Sequence, residues 1–294
     1  MSEGRIIKAL SGFYYVKTEN GEVIQCRGRG VFRKRKITPL VGDFVKFEAD
    51  SPDEGYIIEI KQRENELVRP PIANIDQAII VNAAIQPDFS TTLLDRFLVL
   101  IEAKNIEPII FISKMDLISA EERRAIEAYR DDYERIGYKV ELISSKASGG
   151  VLPLENYFSD GVTVFAGQSG VGKSSILNAL KPSLLLKTAA ISESLGRGKH
   201  TTRHVELVQV NNGLVADTPG FSALDFQEIE AEELGDCFPE MRSRKGECKF
   251  RGCMHRKEPR CAVKEAVESG EISKYRYEHY LAFLEEIQSR KPRY

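Results

Sequence analysis

Through the first sixty or so residues, hydrophobic and polar positions alternate in short runs punctuated by glycine: Gly12-Phe13-Tyr14-Tyr15-Val16, then Glu22 to Arg27, Val41 to Glu48 and Gly55 to Ile60. Asn20-Gly21, between the first two runs, is a hairpin signal. This β pattern, without a helical stretch from Arg5 to about Arg63, predicts a small barrel or sandwich. Basic and aromatic residues are interleaved along it, which favours an oligonucleotide-binding (OB) barrel, with an SH3-like barrel as the alternative.

Near Pro70-Pro71 the rhythm changes. Apolar runs at Asp76 to Asn82, Pro108 to Ser113, Lys139 to Ser144 and Val162 to Gly167 now alternate with helical patterns from Ser90 or Thr91 to Lys104, from Ala120 to Ile136 and from Lys173 onward. Two more strand patterns follow, Val205 to Val210 and Leu214 to Asp217. Such alternation predicts a parallel sheet covered by helices. After about Glu228 strand patterns stop, and helical sequence resumes at Cys261 to Ser269 and Ser273 to Ser289. Three units are expected, over 1–68, 69–227 and 228–294.

Composition narrows the class without changing this division. With 42% hydrophobic and 29% charged residues, 22 Gly and 12 Pro in 294, collagen-like, mucin-like and wholly disordered chains are excluded. The longest apolar runs, such as Leu98 to Ile101 and Ile109 to Ile112, fall far short of the roughly 18 residues a membrane span needs. Met1 to Leu10 lacks a secretory apolar core, so a cytoplasmic location with no membrane partner is expected. The formal charge of -2 conceals local asymmetry. Six of the ten residues from Arg27 to Lys36 are basic (Arg27, Arg29, Arg33, Lys34, Arg35, Lys36), and nine more basic residues lie between Arg242 and Lys264 against only Glu247 and Glu258. Two such runs at opposite ends of a near-neutral chain point to a polyanionic partner.

The segment Gly167-Gln168-Ser169-Gly170-Val171-Gly172-Lys173-Ser174-Ser175 satisfies the P-loop pattern and stands between a strand and a helix, where that pattern has its meaning. Backbone N–H groups freed by the glycines cradle phosphate oxygens, Lys173 neutralises them, and Ser174 offers a hydroxyl to Mg²⁺. Asp217-Thr218-Pro219-Gly220 supplies a second metal-side carboxylate and a glycine placed to sense the terminal phosphate. Between the two motifs, Gly196 to Thr202 reads as a switch loop in which Thr202 completes the metal shell. A base-recognition element is missing downstream of Gly220 and present upstream: Ser113-Lys114-Met115-Asp116 follows one predicted strand, and Ser144-Ser145-Lys146 follows another. Asp116 would accept from the two guanine donors, the Lys114 stem would cover the base, and the serine loop would donate to O6. A P-loop ATPase or kinase acting on a small molecule is the competing class, and Asp116 argues against it.

Base recognition before phosphate binding is the order of a circularly permuted GTPase. With the barrel ahead of it and a Cys/His knuckle behind, the chain resembles, over essentially its whole length, the RsgA (YjeQ/YloQ) family of ribosome small subunit-dependent GTPases. That resemblance implies an OB barrel, a permuted Ras-like domain and a zinc domain. It also implies GTP hydrolysis in late maturation of the small (30S) ribosomal subunit and contacts with its rRNA; a monomer is expected. The family pattern has asparagine where this chain has Ser113, a departure that bears on recognition of guanine N7 and on nucleotide affinity, whereas Asp116 is intact.

Cys248, Cys253, His255 and Cys261 place four soft ligands within fourteen residues, suited to one structural Zn²⁺, while Cys26 and Cys237 stand apart. His279 reads as a surface or packing residue. Phe221 occupies the position after the D-x-x-G motif where Ras-like enzymes carry a water-orienting glutamine, so His200, on the switch loop beside Thr201 and Thr202, is the candidate catalytic group together with Lys173.

Overall fold

The computed structural model describes residues 1–30, 32, 37–51, 53–68, 70–144, 157–158, 160–180, 205–217 and 224–290. Five strands form the N-terminal barrel: β1 (Ser2–Leu10), β2 (Phe13–Thr18), β3 (Val23–Gly28), β4 (Phe44–Ala49) and β5 (Glu54–Ile60). Their order is β1-β2-β3-β5-β4, and β4 returns to pair with β1, closing the barrel. All pairs are antiparallel except β3 with β5. The alternation seen in the sequence places Ile6, Val16, Ile24, Cys26, Val45, Phe47 and Ile57 inside, each buried. Arg27 and Arg29 stand exposed on the wall, the first with its guanidinium 4.8 Å from the Phe13 ring centroid and the second paired with Glu48 at 2.8 Å.

A short hairpin, β6 (Glu66–Leu67) with β7 (Ile72–Ala73), leads into the second unit. Here β8 (Gln77–Ala83), β9 (Glu107–Ser113), β10 (Lys139–Leu142), β11 (Val162–Ala166), β12 (Val205–Val210) and β13 (Gly213–Ala216) take the order β10-β9-β8-β11-β13-β12. All are parallel except β12. The central strands β8 and β9 are covered on both faces, and their near-continuous apolar sequence is the consequence. Helix α1 (Thr91–Glu102) packs Leu94, Phe97, Leu98 and Ile101 on one face with Ile80, Ile110 and Ile112. Helix α3 (Lys173–Leu180) packs Ile176 and Leu177 on the other with Ile79, Phe111 and Phe165. Between them in sequence, α2 (Ala120–Ile136) opens with a reciprocal Ser119–Glu122 capping box and closes at Gly137, whose φ of 113° suits a left-handed cap.

The barrel and this sheet are not separate bodies. Strand β1 also pairs with β12, Lys8 opposite Glu206 and Ala9 opposite Val205, so eleven strands run in one continuous sheet. The Lys8 ammonium lies 3.2 Å from the Glu206 carboxylate across that seam. The third unit carries α4 (Ala262–Glu268) and α5 (Lys274–Gln288), packed on short helical turns around Leu234, Phe238 and Met241.

The third unit is fastened to the second through α1. Val99, on the helix's outer side, joins the C-terminal core, and the Arg96 guanidinium lies over the rings of Phe226 and Phe283 at 4.5 and 4.9 Å while paired with Glu286. Beneath them is a buried ionic cluster. Arg276 is fully buried and donates to Asp95 at 2.5 Å and to both oxygens of Glu240 at 2.7 and 3.0 Å. Burial opposes its charge, yet the two carboxylates prevail and raise the guanidinium pKa further above its ordinary value. Tyr133 donates to Asp95 at 2.6 Å, and His279 bridges the other Asp95 oxygen, at 2.6 Å, to the Thr92 hydroxyl at 2.8 Å. His279 does pack, its ring lying 5.7 Å from that of Tyr275 and 6.3 Å from that of Phe283, and it is in addition part of this polar network.

Candidate active site and metal centre

Because β8, β9, β10, β11 and β13 are mutually parallel, their C-terminal ends share one edge of the sheet, and the loops that follow them converge there. The P-loop leaves β11 at Gly167, the base-recognition segment leaves β9 at Ser113, Ser144 follows β10, and Asp217 follows β13. Crossings that connect parallel strands make this convergence automatic.

Gly167, Gly170 and Gly172 have φ of 128°, 81° and 96°, the left-handed values that curl a P-loop. At Gly167 a side chain is excluded twice over, since a Cβ would lie 2.2 Å from the Val81 carbonyl oxygen of β8. Val171 is buried in the core beneath the loop, whereas Gln168, Ser169, Ser174 and Ser175 are exposed. Lys173 folds back over the loop and donates to the carbonyls of Gly167, at 2.8 Å, and Gln168. Burial lowers its pKa, a penalty that an anion placed in the loop would offset.

Ser113 is buried, and its hydroxyl joins the two halves of the edge: Oγ lies 2.5 Å from the Val171 carbonyl of the P-loop and 3.2 Å from the Asn82 carbonyl at the end of β8. Lys114 turns the chain with φ of 62°, and its ammonium reaches the Gln86 carbonyl. Met115 N–H donates to Ile143 at 3.2 Å, which holds the segment against the end of β10 and leaves Asp116 half-buried on the shared edge. Asp217 accepts from the Glu206 N–H at 3.0 Å through Oδ1 and donates its own N–H to the Glu206 carbonyl at 3.0 Å. The carboxylate at the end of β13 is therefore braced by the same residue that pairs with the barrel. Ser145, Lys146, His200, Thr202, Gly220, Arg33, Lys34, Arg35 and Lys36 lie outside the described residues.

In the C-terminal unit, one ligand atom from each of Cys248, Cys253, His255 and Cys261 lies within 4.8 Å of the others. The Cys248 and Cys261 sulfurs are 3.9 Å apart, and His255 Nδ1 lies 3.7 and 3.3 Å from them. A tetrahedral ion with metal–sulfur bonds of about 2.3 Å requires sulfurs about 3.8 Å apart, so the donor set fits a metal ion of zinc's size and softness. Burial pushes the Cys253 thiol up to about 12 and lowers the His255 imidazole, opposing charge on both groups; a cation would reverse this for the thiol. No position in this four-ligand set is left for a substrate.

Three residues that shape this centre carry no spacing signal of their own. Glu258 collects the N–H groups of Met254, Arg256 and Lys257 at 2.8 to 2.9 Å, which rounds the loop. Tyr277 and Tyr280 of α5 donate to the carbonyls of His255 and Met254 at 2.6 and 2.7 Å. They are legible only once α5 is known to lie against the loop.

Comparison with known proteins agrees over the full length. A family model described as RsgA GTPase matches residues 60–227, and one described as RsgA N-terminal domain matches residues 3–57. The chain is 68% identical to the small ribosomal subunit biogenesis GTPase RsgA 2 of Oceanobacillus iheyensis and 62% identical to RsgA of Bacillus subtilis, in each case over 100% of both chains. Among solved structures it is similar to YloQ, a circularly permuted GTPase, with a TM-score of 0.87 and 58% identity over 100% of this chain and 97% of that one. It is equally similar in fold to YjeQ from Thermotoga maritima, with a TM-score of 0.87 and 36% identity over 99% of each chain. The barrel, the permuted strand order that puts base recognition ahead of the P-loop, and the Cys/His centre thus belong together: this chain is a member of the RsgA family of circularly permuted GTPases.

Proposed function

We propose that this chain hydrolyses GTP on the small ribosomal subunit during its biogenesis, with the subunit completing an otherwise slow active site. The observation that carries the reading is the joining of the P-loop to the Ser113–Asp116 segment at one sheet edge, in a chain related end to end to enzymes named for that process. Asp116 selects guanine, Lys114 and the Ser144 to Lys146 loop border the base, and Gly167 to Ser175 with Lys173 hold the phosphates. Ser174, Asp217 and Thr202 hold Mg²⁺, which neutralises phosphate charge, and Gly220 senses the terminal phosphate. His200 orients the attacking water in place of the missing glutamine.

The metal of the C-terminal centre is zinc, one per chain, and its role is to fold the 228–294 unit. RNA contacts come from Arg27, Arg29 and the Arg33 to Lys36 segment of the 1–68 barrel, with the 69–227 unit as the engine between. The factor acts in the cytoplasm as a monomer.

The test is turnover with and without purified small subunits, at several salt concentrations, with ATP and inosine triphosphate as competitors. Stimulation that fades as salt rises is expected, because phosphate contacts release counterions. Tight ATP binding, or equal turnover with and without subunits at low salt, would contradict the reading.

A further inference from the structure

The position that departs from the asparagine pattern is also tied to both the P-loop and the end of β8. Ser113 is 5% exposed. Its carbonyl accepts from the Ala84 N–H at 2.9 Å, and its Oγ sits between the Val171 and Asn82 carbonyls at 2.5 and 3.2 Å. A Cβ built on Gly172 would lie 3.7 Å from that Oγ, so the P-loop backbone passes directly over the hydroxyl.

A serine hydroxyl carries one hydrogen, and carbonyl oxygens only accept. With two carbonyls as neighbours, the hydrogen is committed within the protein, and the shorter contact assigns it to Val171. Guanine N7 is also an acceptor without a hydrogen. An asparagine carboxamide has two N–H groups and can serve an internal carbonyl and N7 together; a hydroxyl cannot.

We propose that Ser113 is a positioning residue that ties the P-loop to the base-recognition strand, and that in doing so this chain forgoes a donor to guanine N7 and reads the base through its other edge atoms. Asn82 does not replace the lost donor, although its amide nitrogen is buried without a partner. It follows Ile80 on the sheet face packed against α1, whereas Ser113 follows Phe111 on the face packed against α3. The proposal rests on the reading of Ser113 to Asp116 as the guanine site.

The experiment is competition binding on the full-length chain with GTP, GDP, 7-deaza-GTP and inosine triphosphate, for the parent, Ser113→Ala and Ser113→Thr. The parent's own ratio needs no substitution: 7-deaza-GTP, which lacks N7, is expected to bind within about twofold of GTP. Ser113→Ala is expected to weaken GTP, GDP and 7-deaza-GTP by one common factor of about tenfold, since a buried carbonyl loses its donor. The GTP to inosine triphosphate ratio, which reports on Asp116, should stay unchanged. Ser113→Thr keeps the hydroxyl and should restore parental affinity, which a loss of volume alone does not explain.

A preference of fivefold or more for GTP over 7-deaza-GTP in the parent overturns the proposal, whichever group supplies the donor. Parental affinity in Ser113→Ala overturns the tether. If the parent fails to distinguish GTP from inosine triphosphate, the guanine-site reading itself fails, and that outcome is separable from the other two.

Discussion

Removing the guanidinium of Arg276 should loosen the C-terminal unit from the nucleotide domain by more than any surface substitution could. In the folded chain this fully buried group makes three charge-assisted hydrogen bonds, one to Asp95 and two to Glu240. In Arg276→Met the side-chain volume is nearly kept, but Glu240 loses the only side-chain partner the described residues give it, and Asp95 retains just Tyr133 and His279. Breaking a buried pair by deleting one partner costs about 3–5 kcal/mol, because a charge is left without compensation in a poorly polarisable interior. That is a large share of the 5–15 kcal/mol typical of a whole domain. The assay is urea unfolding of the full-length, metal-loaded chain followed by tyrosine fluorescence, which suits a protein with 11 Tyr and no Trp. If orphaned charge is the source of the loss, adding Glu240→Gln to Arg276→Met should recover a substantial part of it, although Gln removes no further attraction. A loss below about 1 kcal/mol in the single variant, or a double variant no better than the single, would refute the reasoning.

Three further outcomes follow from the site and the cysteines. Gly167→Ala should lower GTP affinity by roughly 100-fold in a displacement assay, since its Cβ would meet the Val81 oxygen at 2.2 Å in a backbone at φ 128°; a loss under about threefold would mean the P-loop shifts freely. Cys253→Ser should lose the bound metal by elemental analysis and melt the C-terminal unit early while GTP affinity stays within about twofold, because the P-loop packs in a different core; an equal collapse of nucleotide binding would contradict this separation. Burial pushes the Cys26 thiol inside the barrel up to about 11 from an ordinary 9.0, so the folded chain keeps a proton the unfolded chain gives up. The stability this supplies is complete below pH 9.0 and is lost as pH rises to about 11, and urea midpoints for Cys26→Ala should fall less steeply across that window than the parent's; parallel slopes would count against it.

Much of the molecule was legible because its signals are local. The ends of α2 follow from Ser119, Glu122 and Gly137, and the β2–β3 hairpin from Asn20-Gly21, since each encodes its own backbone geometry. The P-loop and the Cys/His centre were readable for the same reason: their ligands lie within nine and fourteen residues of chain. What escaped depends on distant partners. Nothing near Ser2–Leu10 announces a strand shared by two units, because a strand's second edge is chosen by register with residues far downstream. Arg276 and Asp95 are each unremarkable charged residues in helices, and only the packing of α5 on α1 buries them together. Ser113 reads from sequence only as a departure from the asparagine pattern, because the Val171 carbonyl its hydroxyl meets lies 58 residues downstream.

The double use of β1 also sets a timetable for synthesis. One edge of this strand is divided: residues 2–5 pair with β4, which leaves the ribosome soon after, while Lys8 and Ala9 wait for β12, roughly 200 residues later. The barrel is complete at Ile60 and β12 begins at Val205, so at a translation rate of roughly 5–20 residues per second the closed barrel stands for about 7–30 s with that short stretch unpaired. Lysine at the open position is a known guard against strand-to-strand aggregation, and Lys8 occupies it before Glu206 exists to claim it. The β12–β13 hairpin then arrives as a keystone, since β13 docks on the P-loop strand β11 while β12 docks on the barrel. A nascent chain that stalls before this hairpin therefore holds a finished barrel and a half-built engine with no sheet between them.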